Sequence, residues 1–163
     1  SIDKLSFRPE PMIDTLVHYK EKGSYSGLKE NNPETVIEKI LNNHGIKYTS
    51  GDLQSLVGVV DDKKRTMDFI IPDQASPKII AESSFLVTTS SGQGDKSKTE
   101  ISIRALISEH YPQAKFIGFV DGIGWYARQN DLKRMVSAYD DVFTFHKDEV
   151  ERFEQFLKKE FKK

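Results

Sequence analysis

Apolar residues recur along this chain first with a helical period, then with a strand period, and then with the two in alternation. Residues 1–31 carry Pro9, Pro11, Gly23 and Gly27, and their apolar positions Met12, Ile13, Leu16 and Val17 predict one short helix or an arm beside the main core. Val36, Ile37, Ile40 and Leu41 then form an i, i+1, i+4, i+5 stripe. Asn32 is placed to cap that helix, Pro33 suits its first position, and Gly45 suits its end just after His44. From Ile46 the period shortens: Tyr48, Leu56, Val57, Val59 and Val60, around Gly51 and Gly58, predict short extended pieces or a bent strand. Residues 65–71 (RTMDFII) and 78–87 (KIIAESSFLV) are rich in β-formers and are joined by the turn-forming PDQASP. They predict an antiparallel hairpin.

Beyond the hairpin, SSGQGD at 90–95 reads as a polar loop, and Ser97 followed three residues later by Glu100 has the form of a capping box opening a helix through His110. Pro112 closes that helix. A buried-type strand at 115–120 (KFIGFV), a turn at 121–125 (DGIGW), a helix at 127–139, a strand at 142–145 and a helix at 148–161 follow. The last helix turns Val150, Phe153, Phe156, Leu157 and Phe161 inward. The order α, β, ββ, α, β, α, β, α predicts an α/β fold: three layers, with helices flanking a mixed sheet that starts as a hairpin and continues by parallel crossovers. The domain boundary is expected at 31/32, with an arm at 1–31 and the main domain at 32–163.

Composition narrows the chemistry. The 163 residues include no cysteine, which excludes thiolate zinc sites, thiol nucleophiles and disulfides. Its four histidines, His18, His44, His110 and His146, show no paired metal spacing. No apolar run is long enough to span a membrane. Lys and Arg number 24 against 25 Asp and Glu, a formal net charge of −1, so any nucleic-acid binding must use a local patch rather than bulk attraction. The start at Ser1, with no basic-then-apolar leader, is expected of a processed or excised piece of something longer.

Two acids interrupt the apolar hairpin, Asp68 in MDFII and Glu82 in IIAESSF. A carboxylate in a half-buried strand is costly unless a cation or hydrogen bonds replace its water. With the turn centred near Ala75, facing positions have numbers that sum to about 150 or 151, which sets Asp68 opposite residue 82 or 83. Two carboxylates converging in this way suit a shared divalent cation, and an all-oxygen site suits magnesium. Ser84, two residues on, points to the same face as Glu82. The literal Pro72-Asp73 pair is a decoy: Asp73 lies about 15 Å along the strand from Asp68 and is expected to build the turn. The alternative for Asp68 and Glu82 is an edge hairpin whose acids face water and guard against aggregation.

The series MDFII, IIAESSF, the glycine-and-lysine loop GQGDKSKTE, a helix, and KFIGFVDGIGW resembles the nuclease core of the DpnII-like type II restriction endonucleases, within the wider PD-(D/E)xK group. The resemblance runs from about Asn32 to Phe145. Ser84 departs from it, standing where the wider group has lysine and this family asparagine, and Gly94-Asp95-Lys96 replaces Gly-Ser-Lys. The resemblance implies a three-layer PD-(D/E)xK nuclease-like core, a magnesium-dependent and cytoplasmic enzyme that cuts double-stranded DNA, and a homodimer or partner subunit to cut the second strand.

It also implies roles. Asp68 and Glu82 would be metal ligands, with the Ser83 carbonyl a third; Ser84 would contact water or metal; Lys96 or Lys98 would supply the missing cation. Glu100 would be a site residue as well as a cap. An acid from the first helix completes such sites in the wider group, and Glu34, roughly 90° from the middle of the apolar stripe, is better placed than Glu38 at roughly 130°. An acid in a first helical turn is also favoured by the dipole alone. Asp121, Gly122, Gly124 and Trp125 are assigned to structure that supports the rim of the site. Two readings compete with an enzyme: a non-catalytic nuclease-fold domain that binds DNA or protein, which Ser84 favours, and a plain protein-interaction domain.

Overall fold

A computed structural model describes residues 32–52, 66–87 and 92–161. The expected arm at 1–31, the pieces predicted around Leu56 to Val60, and part of the loop at 90–95 lie outside them. The first helix, α1 (Pro33–Asn43), is bounded as its sequence predicts: the Asn32 side chain accepts from the Glu34 N–H at 3.3 Å, His44 is the C-cap, and Gly45 takes φ +62°. Strand β1 (Thr49–Asp52) follows, then β2 (Thr66–Ile71) and β3 (Ile79–Phe85). After these come α2 (Gln93–His110), β4 (Lys115–Asp121), α3 (Ile123–Ala127), α4 (Gln129–Ser137), β5 (Asp141–Phe143) and α5 (Lys147–Glu160).

The strands form one sheet in the order β1-β2-β3-β4-β5. β1, β2 and β3 pair antiparallel, whereas β3, β4 and β5 pair parallel. The facing numbers in the hairpin sum to 150, from Phe69↔Ala81 through Ile71↔Ile79. Asp73 builds the turn, its Oδ1 accepting from the Ala75 and Ser76 N–H groups at 3.0 Å each.

Alternation along the strands sorts the core into two layers. On one face Ile70, Ile80, Phe116 and Val120 pack with Ile103 and Ile107 of α2, Trp125 of α3, and Leu132, Met135 and Val136 of α4. On the other, Phe69, Ile71, Ile79, Ala81, Ile117, Phe119 and Phe143 pack with Ile37, Ile40 and Leu41 of α1 and Phe153 and Leu157 of α5. The result is helix on sheet on helix, as the element order predicts.

Two expectations fail in detail. Helix α2 begins at Gln93, so Ser97 lies inside it, and its Oγ donates to the Gly94 carbonyl at 2.8 Å. Ser97 and Glu100 are therefore not a capping box, and Lys96 and Lys98 stand on a helix rather than a loop. The turn expected at 121–125 is largely helical: α3 starts just after Gly122, whose φ is +103°, and Arg128 (φ −122°, ψ 65°) separates it from α4, which takes the place of the helix expected at 127–139. Asp131, buried in the first turn of α4 and ion-paired to Arg128 at 2.7 Å, anchors the second start.

Candidate active site

The site lies where the hairpin ladder gives way. β2 carries an extra residue: Thr49 faces Ile70 but Gly51 faces Met67, so Asp68 and Phe69 together oppose Ser50. This bulge resets the alternation. Met67 joins the α2 side of the core and Phe69 the α1 side, although both numbers are odd. Asp68 is the residue at which the phase changes, and it is the acid that a regular strand would have driven into the core position that Met67 takes.

Backbone pairing of β2 with β3 ends at Phe69↔Ala81, and side chains take over. The Asp68 N–H donates to Glu82 Oε1 at 3.2 Å, and the Ser83 N–H donates to Asp68 Oδ2 at 2.7 Å. Each carboxylate thus holds the other's strand, and the two acids are brought together as the register arithmetic predicts. Asp68 is half-buried and Glu82 is 8 % exposed. Burial, then the charges of Asp68 and Glu100, pushes Glu82 well above the ordinary carboxylate range. Burial also raises Asp68; the Ser83 N–H opposes this, the charge of Glu34 adds to it, and Lys96 opposes it. The pair carries more negative charge than its surroundings offset.

Three further predicted residues surround the pair. Glu34, in the first turn of α1, acts on Asp68, and Lys96 of α2 acts on both acids. Glu100 follows Lys96 one turn later on α2, only 3 % exposed, and acts on Glu82. Lys98 is not brought there: its side chain is 68 % exposed and lies 4.0 Å from Asp95. It sits on the outer face of α2, about 200° around the helix from Lys96. Ser84 shares Glu82's sheet face but is 2 % exposed, with its Oγ accepting from Trp125 Nε1 at 3.1 Å and its carbonyl accepting from the same N–H at 3.2 Å.

The DGIGW segment is structural, and it braces the site. Asp121 accepts from the Gly122 N–H at 2.7 Å and the Phe145 N–H at 2.9 Å, joining the ends of β4 and β5. A Cβ on Gly122 would lie 2.1 Å from the Leu86 carbonyl oxygen, so only glycine allows this crossing beside the end of β3. The Gln93 amide, 1 % exposed, donates to the Gly124 carbonyl at 2.8 Å and ties the start of α2 to the same segment. The helix that carries Lys96 and the strand that carries Glu82 are thereby held by one short stretch of chain.

The sequence reading missed Tyr139. Its ring lies against Gly118, the residue that pairs with Glu82 in the β3–β4 ladder. The signal was present in KFIGFV, because a glycine inside a strand marks a close approach.

Among the described residues no three His, Asp or Glu side chains are grouped so as to hold a metal ion. A cation here would take two carboxylates and complete its shell with peptide and water oxygens, which is how magnesium is commonly held. The donor set is all oxygen and short of positive charge, so it fits such an ion.

A mixed five-stranded sheet between two helical layers, with paired acids midway along the adjacent strands β2 and β3, defines an α/β protein whose architecture is compatible with a nuclease-like fold. The family model of the DpnII restriction endonuclease matches residues 12–155, and the chain belongs to that family. Membership makes it a restriction endonuclease with DNA as its substrate. Comparison with curated proteins and with solved structures gives no match. Among the described residues no helix is long and apolar enough to cross a membrane.

Proposed function

We propose that this chain is a magnesium-dependent endonuclease of the type II restriction class that hydrolyses phosphodiester bonds of double-stranded DNA, with a PD-(D/E)xK-type site. The observation that carries the reading is the pair of cross-strand bonds at the β2 bulge, Asp68 N–H to Glu82 and Ser83 N–H to Asp68, which brings two under-compensated carboxylates together. Asp68, Glu82 and the Ser83 carbonyl would hold the ion. Magnesium bound there supplies a Lewis acid for the phosphoryl oxygen and lowers the pKa of water.

The remaining roles belong to the protein. Asp68 is fixed by the Ser83 N–H, which donates to its Oδ2. Lys96 brings an ammonium to both acids and serves the charge that develops on the phosphate, the task of the lysine that Ser84 replaces. Glu34 bears on Asp68 from α1 through its charge, adding to the negative field that a bound cation would offset. Ser84, bonded to Trp125, fixes the end of β3 and with it the pitch of Glu82. Residues 32–163 form the cleavage module in this reading. A second copy or a partner subunit cuts the other strand, since one site cuts one strand.

A non-catalytic, DNA- or protein-binding role is the second reading, favoured by Ser84 being buried against Trp125 where the wider group keeps a lysine. Plasmid DNA with magnesium separates the two. The chain is expected to cut, and Asp68→Ala and chelation are each expected to stop it. Cutting that survives Asp68→Ala removes the site assignment; wild-type protein that binds DNA but never cuts it favours the second reading.

A further inference from the structure

Behind Glu82 stands a phenol that the proposed mechanism does not use. In the parallel ladder Glu82 is paired with Gly118, and a Cβ on Gly118 would lie 2.4 Å from Tyr139 Cε2. The bare glycine therefore lets the Tyr139 ring close onto β4 at the strand position next to Glu82. Phe116 packs the ring at a centroid distance of 4.7 Å, and the residue is 8 % exposed. Among the described residues the hydroxyl makes no hydrogen bond of full geometry. Glu100, Glu82 and Asp68 are the charges that bear on it, with Glu100 near enough to accept its proton in a hydrogen bond. Burial, then the charges of Glu100 and Glu82, holds the phenol well above its ordinary range, so it remains a neutral O–H donor.

A buried tyrosine normally finds a partner for its hydroxyl, and a core position with no need of one is filled by phenylalanine. Here the hydroxyl is aimed at acids brought together from α2 and the β2–β3 pair. We infer that Tyr139 is a positioning residue for the metal site: its O–H bonds the carboxylate of Glu100, and Glu100, held in this way, fixes the side chain of Glu82 between α2 and the sheet. This rests on the reading of Asp68 and Glu82 as metal ligands. It resembles other metal sites, where groups behind the ligands set their orientation and losing one commonly weakens metal affinity or activity about 10–100-fold.

Tyr139→Phe in the full chain tests it, because the substitution removes one oxygen and no packing. If the tyrosine were only a core residue, removing an unsatisfied hydroxyl would leave metal binding and carboxylate environment untouched and would stabilise the fold or leave it unchanged. If it positions Glu100 and Glu82, Mn2+ affinity measured by water-proton relaxation falls about 10–100-fold, and kcat for plasmid cleavage falls while KM for DNA holds. In metal-free protein labelled with carboxyl-13C glutamate, the Glu82 and Glu100 signals move and the remaining glutamates do not. Glu100→Leu is expected to reproduce these effects, and adding Tyr139→Phe to it to change nothing further. Carboxyl signals and Mn2+ affinity equal to the wild type would overturn the inference. Wild-type protein that binds no Mn2+ refutes the metal-site reading instead, and the metal-free carboxyl signals still decide whether Tyr139 holds the two glutamates.

Discussion

Glu82→Gln should make the metal-free protein more stable while it destroys cleavage. The two effects have one cause. Glutamine keeps an Oε1 that can accept the Asp68 N–H, now bonded at 3.2 Å, so the hydrogen bond between the strands survives. What disappears is a charge that burial disfavours and that Asp68 and Glu100 repel. Two unit charges about 5 Å apart repel by about 3 kcal/mol at an effective dielectric of about 20. Solvent at the half-buried Asp68 takes roughly half of that. A gain of about 1–2 kcal/mol remains, within what relief of a strained functional site commonly returns. For a chain of this length that is about 2–8 °C in Tm.

The pH dependence has a definite sign. A carboxyl whose folded pKa is raised contributes stability that is present below its ordinary value near 4.5 and is lost as pH rises through the folded value. The Glu82→Gln gap in Tm, measured by calorimetry in EDTA, should therefore be widest at neutral pH and close as pH falls toward 4.5. Magnesium should narrow it from the other side by stabilising only the wild type. Cleavage by the variant should fall at least about 100-fold, the loss expected when several kcal/mol of metal-derived stabilisation goes. A variant no more stable than the wild type at pH 7 in EDTA would refute the electrostatic reasoning, and one that cleaves normally would refute the role of Glu82.

Three other substitutions separate the site from its surroundings. Asp73→Ala should cost about 1 kcal/mol, read as a urea midpoint, because the Ala75 and Ser76 N–H groups lose their acceptor; its cleavage rate should match the wild type, confirming that the Pro-Asp dipeptide is a turn and not the site. Lys96→Met should lower kcat about 100-fold or more at unchanged KM for DNA, whereas Lys98→Ala, on the solvent side of α2, should leave kcat within about twofold. Trp125→Phe should destabilise by about 1–3 kcal/mol, measured by denaturant unfolding, since the Ser84 carbonyl and hydroxyl both lose the indole N–H.

What the sequence makes legible here is whatever a period or a turn residue controls. The Asn32, Pro33 and Gly45 bounds of α1 and the facing of Asp68 and Glu82 follow from caps and from counting back from the turn, and the structure agrees with both. The start of α2 was hidden for a reason tied to function. Its inward face runs Gln93, Ser97, Glu100, Ile103, Ile107, so the half nearest the site is polar and the helical stripe is visible only in the second half. Gln93 turns inward to bond the Gly124 carbonyl and Glu100 to stand beside Glu82. The β2 bulge was hidden because one extra residue leaves no compositional mark, and its evidence is in the pairing with β1. Tyr139 was hidden because a contact through Gly118 joins residues far apart in sequence. Each of these departs from the regular pattern at the point where an acid has to be held. The near-zero net charge then has a local meaning: acids are gathered midway along β2 and β3, where burial and mutual repulsion make them costly, and Lys96 bears on both from α2.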